Sequence, residues 1–233
     1  MKNTYIKPNI SDELKGLLDS VDYIKPIKKG SFLFSEGESA EELYIIQSGT
    51  IQIGKLSPDG RELTLRICDK GDIVGELSLY DDVKYILNAK VLADGEVAVI
   101  KKSHLENELV NNGSLAIEFM KVMNQAFRRD QTRFRDLVLN GKKGALFSTL
   151  IRLSNSYGKK QDNGSIYIDM VLTNQELANF CGTSRESVNR LLNELKRSTI
   201  ISMEKGHIII HNLQYLKDEI NCENCPVVLC SIH

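Results

Sequence analysis

No apolar run in this chain approaches the ~20 residues that a membrane-spanning helix requires, so the sequence is not expected to cross a bilayer by helices. Its first ten residues, Met1 to Ile10, are polar and hold no signal-peptide core, and a cytoplasmic location is the expectation. A formal net charge of −1 supplies no global basic field that would announce nucleic acid. Internal repeats and low-complexity tracts are also absent. No Gly-rich phosphate loop, nucleophile elbow or His-Glu-x-x-His motif occurs, and His104, His207, His211 and His233 are scattered. An enzyme is therefore not expected.

What is present is an ordinary globular composition, 42% apolar over 233 residues, with room for two modest domains or one large one. The charge is not evenly spread: residues 1–139 carry 19 Lys/Arg against 22 Asp/Glu, whereas residues 140–233 carry 11 against 9. A nucleic-acid-binding segment would sit in the mildly positive second part. Residues 26–102 read as short strands separated by turns: Phe32–Phe34, Leu43–Ile46, Thr50–Ile53, Leu63–Ile67 and Val97–Ile100, with Pro58-Asp59-Gly60 as a hairpin turn. Many short strands with regular turns indicate a sandwich or barrel.

From Leu115 to Leu139 there is neither proline nor glycine, and the pattern becomes helical. Leu115, Phe119, Val122 and Ala126 form a stripe at three/four spacing, which could lie on the molecule's own barrel or form a dimer seam. Residues 128–133 look polar on every side. Asn140-Gly141 breaks the helix and is a candidate hinge. Helix resumes over 143–157, a polar loop is expected over 158–164, and a strand over 165–171. Two helices and a β pair around Gly206 follow.

The most informative stretch is 172–195. Thr173 followed by Glu176 is a capping box that starts a short helix; Gly182 closes it, and Ser184 caps the next. Leu177, Val188, Leu191, Leu192 and Leu195 supply a packing face. Two helices joined by a short glycine turn are what a groove-reading helix requires. Arg185, Glu186, Asn189 and Arg190 fall on the outward face of the second helix. Arginine can bond two acceptors on a guanine edge and glutamate can accept from cytosine, while Ser184 and Ser187 could reach phosphates.

Arg185-Glu186-Ser187-Val188-Asn189-Arg190 resembles the recognition helix of the CRP/FNR family of transcription regulators, and the resemblance covers nearly the whole chain. Gly30, Phe34, Gly37, Tyr44, Gly49, Gly71 and Gly75-Glu76-Leu77 look like the family's sensory β-roll. The resemblance implies an α+β protein: an antiparallel, jelly-roll-type β-roll of the cyclic-nucleotide-binding kind (1–110), a dimerisation helix (111–139), a winged helix-turn-helix (140–220) and a cysteine-rich tail (221–233). It also implies a homodimer binding double-stranded DNA at a palindrome of TGTGA-like half-sites read by Arg185, Glu186 and Arg190, and an activator's contact with RNA polymerase.

Nucleotide-binding members of the family place an arginine and a small hydroxyl residue about ten residues after Gly-Glu-Leu. In Lys84-Tyr85-Ile86-Leu87-Asn88-Ala89 those places hold Leu87 and Asn88. A buried phosphate without a cation is heavily penalised, so cyclic AMP is not expected as effector, and Glu76 is left a role in the fold.

The chain has five cysteines, three of them in Cys222-Glu223-Asn224-Cys225-Pro226-Val227-Val228-Leu229-Cys230. Clustered cytosolic cysteines more often bind metal or do redox work than form structural disulfides. Three thiolates leave a zinc or a [4Fe–4S] cluster one ligand short. His233 could complete a Cys3His zinc site. The layout resembles instead the Gram-positive Fnr branch, whose cluster has C-terminal cysteines and an aspartate late in the dimerisation helix; Asp136 matches that place. By its spacing alone, Asp136 reads as a surface acid paired with Arg133 or Lys143. The resemblance implies an oxygen-labile [4Fe–4S] cluster on Cys222, Cys225, Cys230 and Asp136, with zinc as the alternative. Cys181 is expected to be a small buried residue, and Cys68 is given no role.

Overall fold

The computed structural model describes residues 16–17, 20–75 and 84–233. Met1 to Ile10, Glu76 and Leu77, on which part of the sequence reading fell, lie outside them. Compactness divides the chain into two units, one running to Gln125 and the other spanning Ala126–Ile232.

The first unit is an antiparallel β-roll. Its strands are β1 (Tyr23–Ile27), β2 (Phe32–Phe34), β3 (Glu42–Leu56), β4 (Glu62–Cys68), β5 (Ile73–Val74) and β6 (Asn88–Lys101). They pair in the order β1-β6-β3-β4, with β2 on β6 and β5 on β3. The segments expected separately at Leu43–Ile46 and Thr50–Ile53 are one long strand, which stays paired with β6 through register shifts between Ile46 and Ile51. Such bulges let a strand turn without losing its ladder.

Alternation along β3 and β6 sorts the side chains into two cores. Tyr44, Ile46, Val97 and Val99 point into the roll with Phe34, Ile51, Ile53, Val74 and Tyr85. Their neighbours Leu43, Ile45, Ala98 and Ile100 point the other way and are covered by Leu105 and Leu109 of α1 (Lys102–Asn111) and by Leu115 and Phe119 of α2 (Gly113–Tyr157). Each fully buried Leu or Phe there contributes about 1.5–3 kcal/mol. The stripe that began at Leu115 thus packs on the molecule's own roll, with Val122 against the same cluster.

A different face of α2 is uncovered. Ile117, Met120, Phe127, Phe134 and Val138 are 52–69% exposed. With Asn124 and Gln131, also exposed, they occupy alternating three- and four-residue steps, the a/d pattern of a coiled coil. The stretch read as polar on every side, residues 128–133, contributes only Gln131 to this seam; the apolar members Phe127 and Phe134 flank it, and the seam was missed because its large residues are separated by charged ones.

The backbone of α2 leaves the helical region at Gly141 (φ 58°, ψ −155°), where the sequence reading placed a break. Beyond it, β7 (Gly158–Lys160), β8 (Ile166–Val171), α3 (Asn174–Phe180), α4 (Arg185–Arg197), β9 (Ile201–Glu204), β10 (His207–Ile210) and α5 (Leu213–Asp218) form the winged helix-turn-helix. Its sheet runs β7-β8-β10-β9. Gly158–Lys160, expected as loop, pairs with Tyr167 and its neighbours as an edge strand. Leu146, Phe147, Leu150, Ile151 and Leu153 of α2 are buried, as are Leu177, Val188, Leu191, Leu192 and Leu195.

Candidate functional site

Local rules set the attitude of α4. Thr173 and Glu176 form the expected capping box: the Thr173 hydroxyl accepts from Glu176 N at 3.2 Å and Glu176 Oε2 accepts from Thr173 N at 2.7 Å. Gly182 adopts φ 55°, which a side chain would resist, and so turns the chain between the helices. Ser184 caps α4 by accepting from Ser187 N at 3.3 Å, and its own hydroxyl donates to Ser187 Oγ at 3.2 Å. Glu186 in the first turn and Lys196 and Arg197 in the last complement the helix dipole. Contact with the Glu186 backbone amide, then Ser184 and Arg185, lowers the Glu186 carboxyl below its ordinary range.

Val188, Leu191, Leu192 and Leu195 bury one side of α4, and the other presents Arg185, Glu186, Asn189 and Arg190, all exposed. Asn189 Oδ1 accepts from Asn174 Nδ2 of α3 at 3.1 Å, tying the second helix to the first. Two guanidinium groups and a carboxylate thus stand in solvent on a helix fixed by its buried side. That arrangement can hydrogen-bond base edges in a major groove.

The second constellation lies in the same unit. Asp136 is not a surface acid: it is 4% exposed. Of the two partners expected from spacing, Lys143 bonds Glu219 at 2.5 Å, and Arg133 donates to Ser231 O at 3.0 Å. Helix geometry turns Asp136 inward, toward the resumed helix. There Oδ2 accepts from Ser148 Oγ at 2.5 Å and from Arg152 Nη2 at 3.2 Å. Oδ1 accepts from Arg135 Nη2 at 2.7 Å and Nε at 3.1 Å.

The tail is docked against this centre by its backbone. Arg152 Nη1 donates to Leu229 O at 2.9 Å, Asn155 Nδ2 to Cys230 O at 2.6 Å, and Ile232 N to Ser156 Oγ at 2.9 Å. Together with the Arg133 bond to Ser231, four successive residues, 229–232, are each held by a side chain of α2. Cys222, Cys225 and Cys230 are half-buried. The Cys230 thiol is pushed up by burial first; Arg152 opposes, and Cys222, Cys225 and Asp136 add to the rise. The other three expected ligands thus lie near enough for their charge to act on Cys230. A cleft of ≈ 390 Å³ opens beside Cys225, lined also by Arg128, Thr132, Arg135, Glu223 and Pro226.

Among the described residues, no three His, Cys, Asp or Glu side chains converge closely enough to hold a metal ion. The donor set nevertheless suits one: three soft thiols and a carboxylate on one compact unit, with two guanidinium groups beside them to offset anionic ligands. His233 groups with the other unit. Cys181 is buried, its thiol pushed to about 12 by burial, and Cys68 belongs to the roll core.

The sequence reading missed Arg135, Ser148, Arg152 and Asn155. One signal was available: Arg152 interrupts the apolar face of Leu146, Leu150 and Leu153, and a fully buried arginine requires partners. In the roll, the stretch after the undescribed residues is built into the core. Tyr85 stacks on Phe34 with ring centroids 3.9 Å apart and donates to Glu42 O at 2.7 Å. Leu87 packs on the same cluster, and Asn88 Oδ1 accepts from Glu36 N at 2.9 Å.

Known proteins bear on this arrangement. Residues 24–112 match the cyclic nucleotide-binding domain family, and residues 145–219 the Crp-like helix-turn-helix domain family. The chain is 56% identical over 225 residues to the anaerobic regulatory protein of Bacillus subtilis (strain 168), covering 96% of this chain and 94% of that one. It is 26% identical over 204 residues to the fumarate and nitrate reduction regulatory protein of Yersinia pestis, covering 88% and 81% respectively. Among solved structures, a CooA mutant from Carboxydothermus hydrogenoformans matches with a TM-score of 0.75 at 22% identity, covering 90% of this chain and 92% of that one. A CRP-family transcriptional regulator from Thermus thermophilus matches with a TM-score of 0.69 at 23% identity, covering 84% and 96%. At these identities the two structures speak for the fold.

Proposed function

Because the chain belongs to the CRP/FNR family of transcription regulators, we propose that it is an oxygen-responsive activator, reading TGTGA-type palindromes as a homodimer under the control of a [4Fe–4S] cluster. DNA-binding regulation, rather than enzymatic turnover, is the established part. The observation that carries the rest is the buried carboxylate of Asp136 on the same compact unit as Cys222, Cys225 and Cys230, in a chain more than half identical to an anaerobic regulator.

The chain's own residues divide the work. Arg185, Glu186 and Arg190 would contact base edges, Asn189 would hold the recognition helix to α3, and Ser184 and Ser187 would contribute mainly through the helix cap. The exposed seam of α2 would be covered by a second copy of the chain, and each dimer would then read two half-sites roughly 34 Å apart. Cys222, Cys225, Cys230 and Asp136 would hold the cluster. When bound, it would supply iron–ligand bonds of which the one to a hard carboxylate is the weakest and the most readily lost in air. Because Asp136 lies on α2 and the cysteines follow the winged domain, shared ligation would fix the attitude of the recognition helix to the dimer helix.

Cyclic AMP is not the effector in this reading. Leu87 and Asn88 bring no cation where a phosphate would need one, and both already have partners in the roll. Zinc, with His233 completing a Cys3His site, is the alternative. Among the described residues no helix is long and apolar enough to cross a membrane. The location in the cytoplasm and the contact with RNA polymerase rest on the family alone.

The test is anaerobic purification with iron, sulfide and zinc assays, followed by gel shifts on a TGTGA palindrome and a scrambled duplex. Visible absorbance that bleaches in air, with specific binding lost in parallel, is expected. Colourless protein carrying stoichiometric zinc, or binding indifferent to oxygen, would overturn the proposal.

A further inference from the structure

The carboxylate of Asp136 is saturated. A carboxylate offers about four acceptor positions, and Arg135 fills two on Oδ1 while Ser148 and Arg152 fill two on Oδ2. An oxygen whose lone pairs are both engaged cannot bond a metal until a donor leaves. The two sides differ in how readily that happens. The side chain of Arg152 is 3% exposed and is held by Ser148 Oγ at 3.1 Å, Thr132 Oγ1 at 2.9 Å and Leu229 O at 2.9 Å besides Asp136. Arg135 has 26% of its side chain exposed, lines the cleft, and has its other partner, Glu223, on the tail between Cys222 and Cys225.

Resting on the cluster reading above, we infer that Arg135 is a positioning residue that latches the cluster-free protein. Its guanidinium occupies the oxygen through which Asp136 would reach a metal, and at the same time holds Glu223, which lies between two of the three cysteines. Loading then requires Arg135 to withdraw, while Ser148 and Arg152 keep the other oxygen and the orientation of the carboxylate. The exchange balances. Two N–H···Oδ1 contacts break and an Oδ1–metal bond forms; the Cys225 thiol gives its proton to solvent as its sulfur bonds the metal. The guanidinium keeps all its protons and turns toward Glu223 and water.

A latch has opposite effects on the two states, which a merely structural arginine does not. Arg135→Gln removes the charge and the two-point contact, so the cluster-free protein should melt at lower temperature while the loaded protein holds its cluster more tightly. Arg135→Lys keeps the charge with one contact and should lie between in both respects. Wild type and both variants are reconstituted without oxygen from ferric iron, sulfide and excess thiol reductant, then challenged with graded chelator while visible absorbance is followed. Cluster-free samples are melted in parallel.

The chelator concentration that removes half the cluster should rise roughly tenfold in Arg135→Gln, the scale of one charge-assisted hydrogen-bonding contact. An unchanged midpoint, or a fall in both melting temperature and retention, would overturn the latch, the latter making Arg135 a support for the loaded form. If Arg135→Gln gives no cooperative melt, Arg135→Lys decides by the same two readings. If wild type takes up no iron and sulfide, the cluster reading fails first, whatever the variants do, and the latch falls with it.

Discussion

Two groups of the same composition sit in one compact unit and behave oppositely. Arg185, Glu186 and Arg190 stand in solvent on α4, whereas Arg135, Asp136 and Arg152 close on one another around a buried carboxylate. In water a guanidinium–carboxylate pair is worth ~0–1 kcal/mol, so the α4 residues stay available to an external partner. In the interior an unpaired ion costs several kcal/mol, so every acceptor position of Asp136 is filled from within. Side-chain chemistry does not separate an exposed reading surface from a buried structural centre; burial does.

The comparison breaks most severely at Asp136. Removing it leaves Arg152 buried beside Ser148 without its counter-charge. Asp136→Ala should cost the cluster-free protein about 3–5 kcal/mol in denaturant unfolding and abolish regulated DNA binding. Full anaerobic DNA binding by Asp136→Ala would remove the residue from the ligand set.

On the solvated side the expected cost moves from stability to affinity. Arg190→Ala, and equally Arg185→Ala, should weaken binding to the palindrome by about 1–3 kcal/mol, read by titrating labelled duplex at fixed salt, with the denaturation midpoint unchanged. A variant that unfolds more easily would mean that the α4 arginines hold the fold, and the contrast with Arg152 would disappear.

Between these two lies the capping box. Thr173→Ala should cost about 1 kcal/mol in thermal or denaturant melts by removing the bond to Glu176 N, with weaker DNA binding only in proportion. The smallest effect is one of pH. Because the folded-state pKa of Glu186 is lowered, its contribution is present above the unfolded carboxylate pKa, near ~4.3, and is lost as pH falls through the folded value. Glu186→Gln should therefore flatten the acid side of the stability profile below about pH 4.3; an unchanged slope would mean that the contacts of Glu186 are too solvated to count.

The parts legible in the sequence are those set by neighbours along the chain. Thr173 with Glu176, Gly182 and Ser184 each act within four residues, and the structure has them in the expected roles. The break at Gly141 was legible for the same reason. The apolar seam from Ile117 to Val138 is equally local, yet it and the stripe from Leu115 both follow helical spacing. Only the roll's Leu43, Ile45, Ala98 and Ile100 decide which face is covered.

The amino-acid sequence by itself determined the helix caps, the strand alternation, the outward face of α4 and the clustering of three cysteines, because each depends on spacing along one element. Tertiary structure alone decided that Asp136 is buried, that Arg152 and Ser148 reach it from across the kink, and that α2 side chains grip the backbone of residues 229–232. The physical reason is distance along the chain. A buried charge is tolerable only if partners meet it in space, and partners 12, 16 or 77 residues away leave no periodic trace in the sequence.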